Sequence, residues 1–287
     1  MRQLLHTSVL VCAFVLATRG TCLAQLHAAA EGPIVYGHHH INPSDPEAHR
    51  RFWVDTLGGV PAKLGTGDVI KYPNVILMLS ANKPTGGTKT SSVNHIGFQV
   101  PNLRAMVDRL RAAGYPIVTR TELPPSLQAQ EKDGIVFIAD QNSSIAFVMG
   151  PDDTKVELFE VKGMKDPIAL HHIHFATPQV AEMQAWYAKV FGAKPGKRGS
   201  FDAAALPGVS LTFSPSAEPV VGTKGRVLDH IGFEVKDLEA FTKRLEGMGI
   251  KLDRPFTKID RFGITIAFLT DPWGTNVELT EGMTQVR

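Results

Sequence analysis

The chain has 287 residues, with 30 Lys and Arg against 28 Asp and Glu, and a formal charge of +2 offers no basic surface on which to hold nucleic acid. A 43% apolar fraction fits a globular protein, and the length allows about two domains of ordinary size. Its cysteines are Cys12 and Cys22, both near the start.

Arg2, the apolar stretch Val9 to Ala17 and the small-residue sequence Cys22-Leu23-Ala24 follow the order of an export signal. The run is shorter than the roughly 20 residues of a spanning helix. Residues 1–24 are therefore expected to be a cleaved signal peptide, and the mature protein to be secreted or periplasmic with no membrane attachment. Cleavage after Ala24 removes both cysteines, which excludes a nucleophilic thiol and thiolate metal ligands.

Beyond the leader, four segments repeat one pattern: GHHHINPSDPEAHRRFWVDTLG from Gly37, NHIGFQVPNLRAMVDRLRAAG from Asn94, HHIHFATPQVAEMQAWYAKVFG from His171 and DHIGFEVKDLEAFTKRLEGMG from Asp229. Each opens with a short alternating strand carrying histidine and continues into a helix that ends in Gly. In the fourth, Ile231, Phe233 and Val235 share one strand face, and Leu238, Phe241, Leu245 and Met248 form the helical stripe that covers it. Asp237 is placed to cap that helix and Gly249 to end it. The second unit repeats this with Leu103, Met106, Leu110 and Gly114. Apolar runs such as Val75 to Leu79, Ile145 to Val148, Val209 to Phe213 and Ile264 to Leu269 add about three further strands per unit. Units one and three resemble each other, as do units two and four, which marks duplication of a two-unit half. The halves are expected at 33–161 and 168–283, with surplus length at Glu122 to Gly134 forming a surface loop or lid.

Strand periodicity puts His38 and His40 on one face of the first unit, and His172 and His174 on one face of the third. Glu278 shares the concave face with Asn276 and Thr280 while Val277 and Leu279 point to the core. Each half then offers two histidines and a glutamate: His38, His95 and Glu157, and again His172, His230 and Glu278. Two imidazoles and a carboxylate hold a divalent metal while leaving coordination positions open; Fe, Zn, Mn, Ni and Co all suit the set. His39 and His171 point the other way. His40 and His174 lie one pleat beyond the ligand positions, where proton transfer or substrate orientation is open to them.

HIGFEV with DPWGTNVELTE, and HIGFQV with GPDDTKVELFE, resemble the vicinal oxygen chelate superfamily of glyoxalases, extradiol dioxygenases, and bleomycin- and fosfomycin-resistance proteins, over Tyr36 to Gly282. The resemblance implies an α+β fold in which four βαβββ modules pair into two U-shaped mixed β-sheet cups with helices packed outside. It implies His172, His230 and Glu278 as metal ligands, with His38, His95 and Glu157 as a second possible set. It further implies a metal-dependent enzyme of the glyoxalase, lyase or isomerase kind that binds a small-molecule substrate through vicinal oxygens. An iron(II) extradiol-type dioxygenase and a non-catalytic ligand-binding protein are the alternatives. The segments at 76–79 and 210–213 lack the additional acid of glyoxalase I, and Phe268 and Phe147 stand where extradiol enzymes carry tyrosine. The acidic turn Asp271-Pro272 before Glu278, against Lys155 beside Glu157, favours the C-terminal cup; Glu234 is its candidate general base alongside His174.

Overall fold

The alternating segments fold as strands and the apolar stripes as helices in a computed structural model that describes residues 26–216 and 219–286. The export signal expected at 1–24 lies outside the described residues. Module one comprises β1 (Val35–Ile41), α1 (Pro46–Arg50, continuing through a π turn over Arg51–Thr56), β2 (Val60–Leu64), β3 (Gly67–Tyr72) and β4 (Val75–Leu79). Module two has β5 (Val93–Val100), α2 (Leu103–Ala112), two short turns α3 (Thr119–Glu122) and α4 (Pro125–Gln128), β6 (Val136–Ile138), β7 (Ser143–Gly150) and β8 (Thr154–Glu160). Module three has β9 (Ala169–Thr177), α5 (Val180–Phe191), β10 (Lys194–Arg198), β11 (Phe201–Leu206) and β12 (Val209–Pro215). Module four has β13 (Leu228–Glu234), α6 (Leu238–Gly247), β14 (Arg254–Ile259), β15 (Ile264–Thr270) and β16 (Asn276–Glu281).

Helix starts follow the local chemistry. Asn102 and Asp237 accept hydrogen bonds from the backbone N–H groups of Ala105 and Ala240, at 3.0 and 2.9 Å. Each cap satisfies an amide that the helix itself leaves free, worth about 1 kcal/mol. The inward stripes, Leu103, Met106, Val107 and Leu110 on α2 and Leu238, Phe241 and Leu245 on α6, are buried as their spacing requires.

The strands form two eight-stranded mixed sheets, in the orders β14-β15-β16-β13-β1-β4-β3-β2 and β10-β11-β12-β9-β5-β8-β7-β6. The paired-cup α+β architecture is therefore present, but its pairing corrects the expectation from duplication. Module one pairs with module four, and module two with module three, so each sequence half contributes one module to each sheet. The joins are antiparallel: Tyr36 lies opposite Phe233 and His40 opposite His230, while His95 lies opposite His174. Modules within a half meet instead through the apolar core. Trp53 packs toward Phe98 with ring centroids 6.2 Å apart, and Phe191 packs on Phe233 at 5.2 Å. One buried cluster runs through all four modules, so sheet pairing across halves and core packing within halves interlock.

The turn before each terminal strand belongs to this second set of contacts. Asp271 accepts from the Tyr187 hydroxyl at 2.9 Å and from the amides of Trp273 and Thr275. In the other half, Asp152 accepts from the Ser44 amide and pairs with His49 Nε2 at 2.9 Å. In both, an acid of the turn is tied to the preceding module of its half.

Candidate metal centres

The joins between modules bring the histidines together. In β13, His230, Gly232 and Glu234 face the concave side, and His38 of β1 is registered opposite Gly232. In the other sheet His172 of β9 is registered opposite Gly97. A Cβ on Gly232 would overlap the His38 ring, and one on Gly97 would overlap the His172 ring. The glycine of each HIG sequence is thus the floor on which an imidazole from the other half lies. This regroups the expected ligands. His172 meets His95 and Glu157, whereas His38 meets His230 and Glu278; the sets His172/His230/Glu278 and His38/His95/Glu157 are not assembled. The cause is the crossed module pairing.

In the cup of modules two and three, His95 Nε2 and His172 Nε2 stand 2.9 and 3.0 Å from the same oxygen, Glu157 Oε2. His95 Nδ1 faces Asn94 Oδ1 at 2.9 Å, which fixes its ring. His174, one pleat along, contacts Ser214 Oγ through Nε2 at 3.0 Å and has no partner at Nδ1. The donor atoms of His95, Glu157, His172 and His174 all lie within 4.8 Å of one another. Burial pulls His95 down to about 4 and holds His172 and His174 well below the usual imidazole range. Burial also works to raise Glu157, but the facing imidazoles and Arg198 outweigh it and keep the carboxylate well below its ordinary range. Neutral imidazoles converging on an ionised carboxylate are the protonation states a divalent cation needs, so the donor set fits a metal.

The cup of modules one and four repeats the group: His38 Nε2 and His230 Nε2 lie 2.9 and 2.8 Å from Glu278 Oε2. Its electrostatics differ. Asp229 Oδ1 sits 2.6 Å from His230 Nδ1. Burial works to lower His230, but hydrogen bonds to Asp229 and Glu278 prevail and raise it to about 9. Asp229 here takes the place that Asn94 holds behind His95 in the other cup.

Space separates the cups more sharply. His38 and His40 neighbour Ile76 and Met78 on β4, while His172 and His174 neighbour Ser210 and Thr212 on β12. Ile76 packs with Leu64, Val69, Ile264 and Ile266 in a buried apolar cluster joined by Leu26 and Met283 in the cup of modules one and four. In the second, a cavity of about 510 Å³ reaches His95, Glu157 and His174. Its wall includes Glu122, Leu123, Pro124, Ser126, Leu127 and Gln130, so the surplus segment after α2 covers the cavity as the lid reading expects. Lys155 pairs with Glu122 of that segment at 2.7 Å and does not neutralise Glu157.

The cavity lies in the Glu157 cup, whereas the acidic turn singles out the Glu278 cup. The acidic turn on which that preference rests is spent on Tyr187 and backbone amides and reports on packing rather than metal readiness. Glu234 likewise has a structural position: its oxygens accept from the Thr280 hydroxyl and from the amides of Gly282 and Met283, and none of these bonds reaches the histidines. His40 Nδ1 is buried without a partner, its ring 4.6 Å from that of His230. Arg198, which no histidine or carboxylate pattern singles out, lies in the cavity wall with Nη2 3.8 Å from Glu157 Oε2.

With fold and centres described, comparison with known proteins places the chain. The family model for the Glyoxalase/Bleomycin resistance protein/Dioxygenase superfamily matches residues 35–137 and 169–279. The chain belongs to this superfamily. Glyoxalase I from Zea mays is similar in fold, with a TM-score of 0.65 and 14% identity over 89% of this chain and 95% of that one. A putative dioxygenase from Bacillus subtilis subsp. subtilis str. 168 gives a TM-score of 0.62 and 13% identity over 88% of each chain. No curated protein sequence matches significantly. Superfamily members bind divalent metals and small-molecule substrates, in keeping with the His and Glu groups here.

Two outcomes are expected. Gly97→Ala should push His172 off its floor, cost roughly 1–3 kcal/mol of stability and lower metal content at the Glu157 group; Gly232→Ala should displace His38 at a similar cost in stability. Metal analysis of Gly97→Ala beside chemical denaturation of both variants checks this, and unchanged metal content in the first with unchanged stability in both would contradict the glycine-floor geometry. Glu234 gives a pH signature: burial raises it to about 7 from 4.5. The folded state then holds a proton the unfolded state has lost, so this group's contribution to stability falls as pH rises from about 4.5 through 7 and levels off above. Thermal unfolding across that window should show a shallower decline in Glu234→Gln than in the wild type.

Proposed function

We propose that this chain is an exported, metal-dependent enzyme of the vicinal oxygen chelate type, a lyase or isomerase, working in the cup of modules two and three. The carrying observation is the cavity that reaches His95 and Glu157 and is walled by the segment after α2. His95, His172 and Glu157 would hold the cation, one of Fe, Zn, Mn, Ni or Co. Once bound, it supplies Lewis-acid polarisation of substrate oxygens. The Glu278 group serves the fold, tying β1 to β13 and β16. Export rests on the leader sequence, with Gln25 as the first mature residue.

The chain's own side chains supply the remainder. The Ser214 hydroxyl donates to the Phe175 carbonyl at 3.4 Å, so it accepts from His174 Nε2–H and leaves Nδ1 as the bare nitrogen. Burial keeps this imidazole neutral, and in the proposed reaction Nδ1 takes a proton from the substrate. Leu123, Ile138, Ile145 and Phe147 make one wall apolar and limit water at the reacting centre. Phe147 stands edge-on to His95 with centroids 5.2 Å apart, so this position offers no hydroxyl of the kind extradiol chemistry uses, which favours the lyase or isomerase reading over the dioxygenase.

Metal analysis combined with turnover of a panel of small 2-oxo, 2-hydroxy and catecholic compounds tests the proposal. His172→Ala and Glu157→Ala should abolish turnover, while His38→Ala and Glu278→Ala should retain it. His174→Gln should keep its metal and lose about 10²–10⁴-fold in kcat. Turnover lost only in the second pair would move the reaction to the other cup. Stoichiometric metal without turnover of any compound would favour a ligand-binding protein, and wild-type protein without metal would end the metal-enzyme reading.

A further inference from the structure

We propose that Arg198 selects a substrate whose carboxylate supplies one of the two chelating oxygens, that is, a small 2-oxo or 2-hydroxy acid. This rests on the Glu157 group being the working centre and narrows what that centre accepts.

The two copies of the cup differ at this residue. The hairpin β2–β3 reads PAKLGTGD from Pro61, and the hairpin β10–β11 reads PGKRGSFD from Pro195. The registers are equivalent: Leu64 pairs with Gly67, and Arg198 with Phe201. Leu64 is buried in the apolar cluster of its cup. Its counterpart is a guanidinium beside an open cavity.

Arg198 is built into place. Its side chain is only 12% exposed and its guanidinium lies over the Phe159 ring, 5.7 Å from the centroid. The turn behind it is pinned across the module boundary by the Ser200 amide, which donates to Asp140 Oδ2 at 2.7 Å. Nη1 lies 3.4 Å from Nδ1 of both His171 and His172, and Nη2 lies 3.3 Å from His172 Nε2. Nε is buried with no hydrogen-bond partner. The carboxylate within ion-pair reach is Glu157, at 3.8 Å, and that oxygen is already shared by two imidazoles. Lys155, the other cation close by, is committed to Glu122.

Charge then fixes the ligand class. Glu157, with Asp140 farther off in the cavity wall, does not balance a divalent cation and a guanidinium, and the centre keeps a net positive charge that an uncharged substrate would leave unpaired. A carboxylate satisfies the guanidinium with two parallel N–H···O bonds, and a neighbouring keto or hydroxyl oxygen completes the vicinal pair. Anions of this shape fit the cavity's polar end, while its apolar wall takes the remainder of the molecule.

The test loads full-length mature protein with Mn(II) and titrates it calorimetrically with oxalate, and separately with acetohydroxamic acid, a two-oxygen chelator uncharged in solution. Arg198→Leu, which installs the side chain of the other cup, and Arg198→Gln should both retain wild-type metal content. Oxalate affinity should fall by about 30-fold or more in each, the scale expected when one partner of a buried charge pair is removed, while acetohydroxamic acid stays within about 3-fold. Arg198→Lys should fall between, keeping charge but losing the paired bonds. Unchanged oxalate affinity in Arg198→Gln, or equal loss of both probes with metal retained, would overturn the assignment and reduce Arg198 to packing. A wild type that binds no Mn(II) would instead overturn the metal-centre reading on which the assignment rests.

Discussion

An imidazole lying flat over a glycine across an antiparallel strand pair is the constraint on which the molecule depends. The pairs His38 over Gly232 and His172 over Gly97 can form only if β1 meets β13 and β9 meets β5. That choice crosses the sequence halves, gathers each ligand group from two modules remote in the chain, and leaves the helices to stitch adjacent modules through the shared core. A centre whose ligands come from both halves exists only in the completed fold. A cation held at such a group would link metal binding to folding, because the donors are not adjacent in the unfolded chain.

Duplication supplied two equal frames, and a few side chains made them unequal. Ile76, Met78 and Leu64 stand in one cup where Ser210, Thr212 and Arg198 hold the equivalent positions in the other. The Glu278 cup has an apolar cluster and a histidine paired with two carboxylates. The open cup gives up part of that packing for a cavity, neutral imidazoles and a buried cation. The insertion between α2 and β6 belongs with this division, since it closes the open cup and is fastened by the Lys155–Glu122 pair. Burying an ion pair contributes little net stability, and its role here is to fix where the lid lies.

Much of this was legible in the chain and some was not, for physical reasons. Strand period two correctly placed His230, Glu278, His172 and His174 on concave faces, and helical spacing placed the stripes of α2 and α6. The partner of each module was hidden, because close similarity between units reports ancestry while sheet pairing is decided by edge complementarity between strands. A signal for it was present in the HIG glycines, which have room for a ring they do not themselves carry. The preference for the Glu278 cup weighed Asp271 and Lys155 as neighbours of the glutamates, whereas they contact Tyr187 and Glu122. Comparing Ile76 with Ser210, or Leu64 with Arg198, needs the repeats aligned beyond their histidines; there the difference in volume and charge is plain.

The most direct measurement of the central claim is anomalous diffraction from crystals of the protein loaded with Mn(II) or Zn(II). The expected result is a peak bounded by His95, His172 and Glu157, with its remaining coordination side turned to the cavity beneath the insertion and Arg198. A peak bounded by His172, His230 and Glu278, or an unambiguous absence of metal beside Glu157 in saturated crystals, would contradict both the crossed pairing of modules and the assignment of the open cup as the working centre.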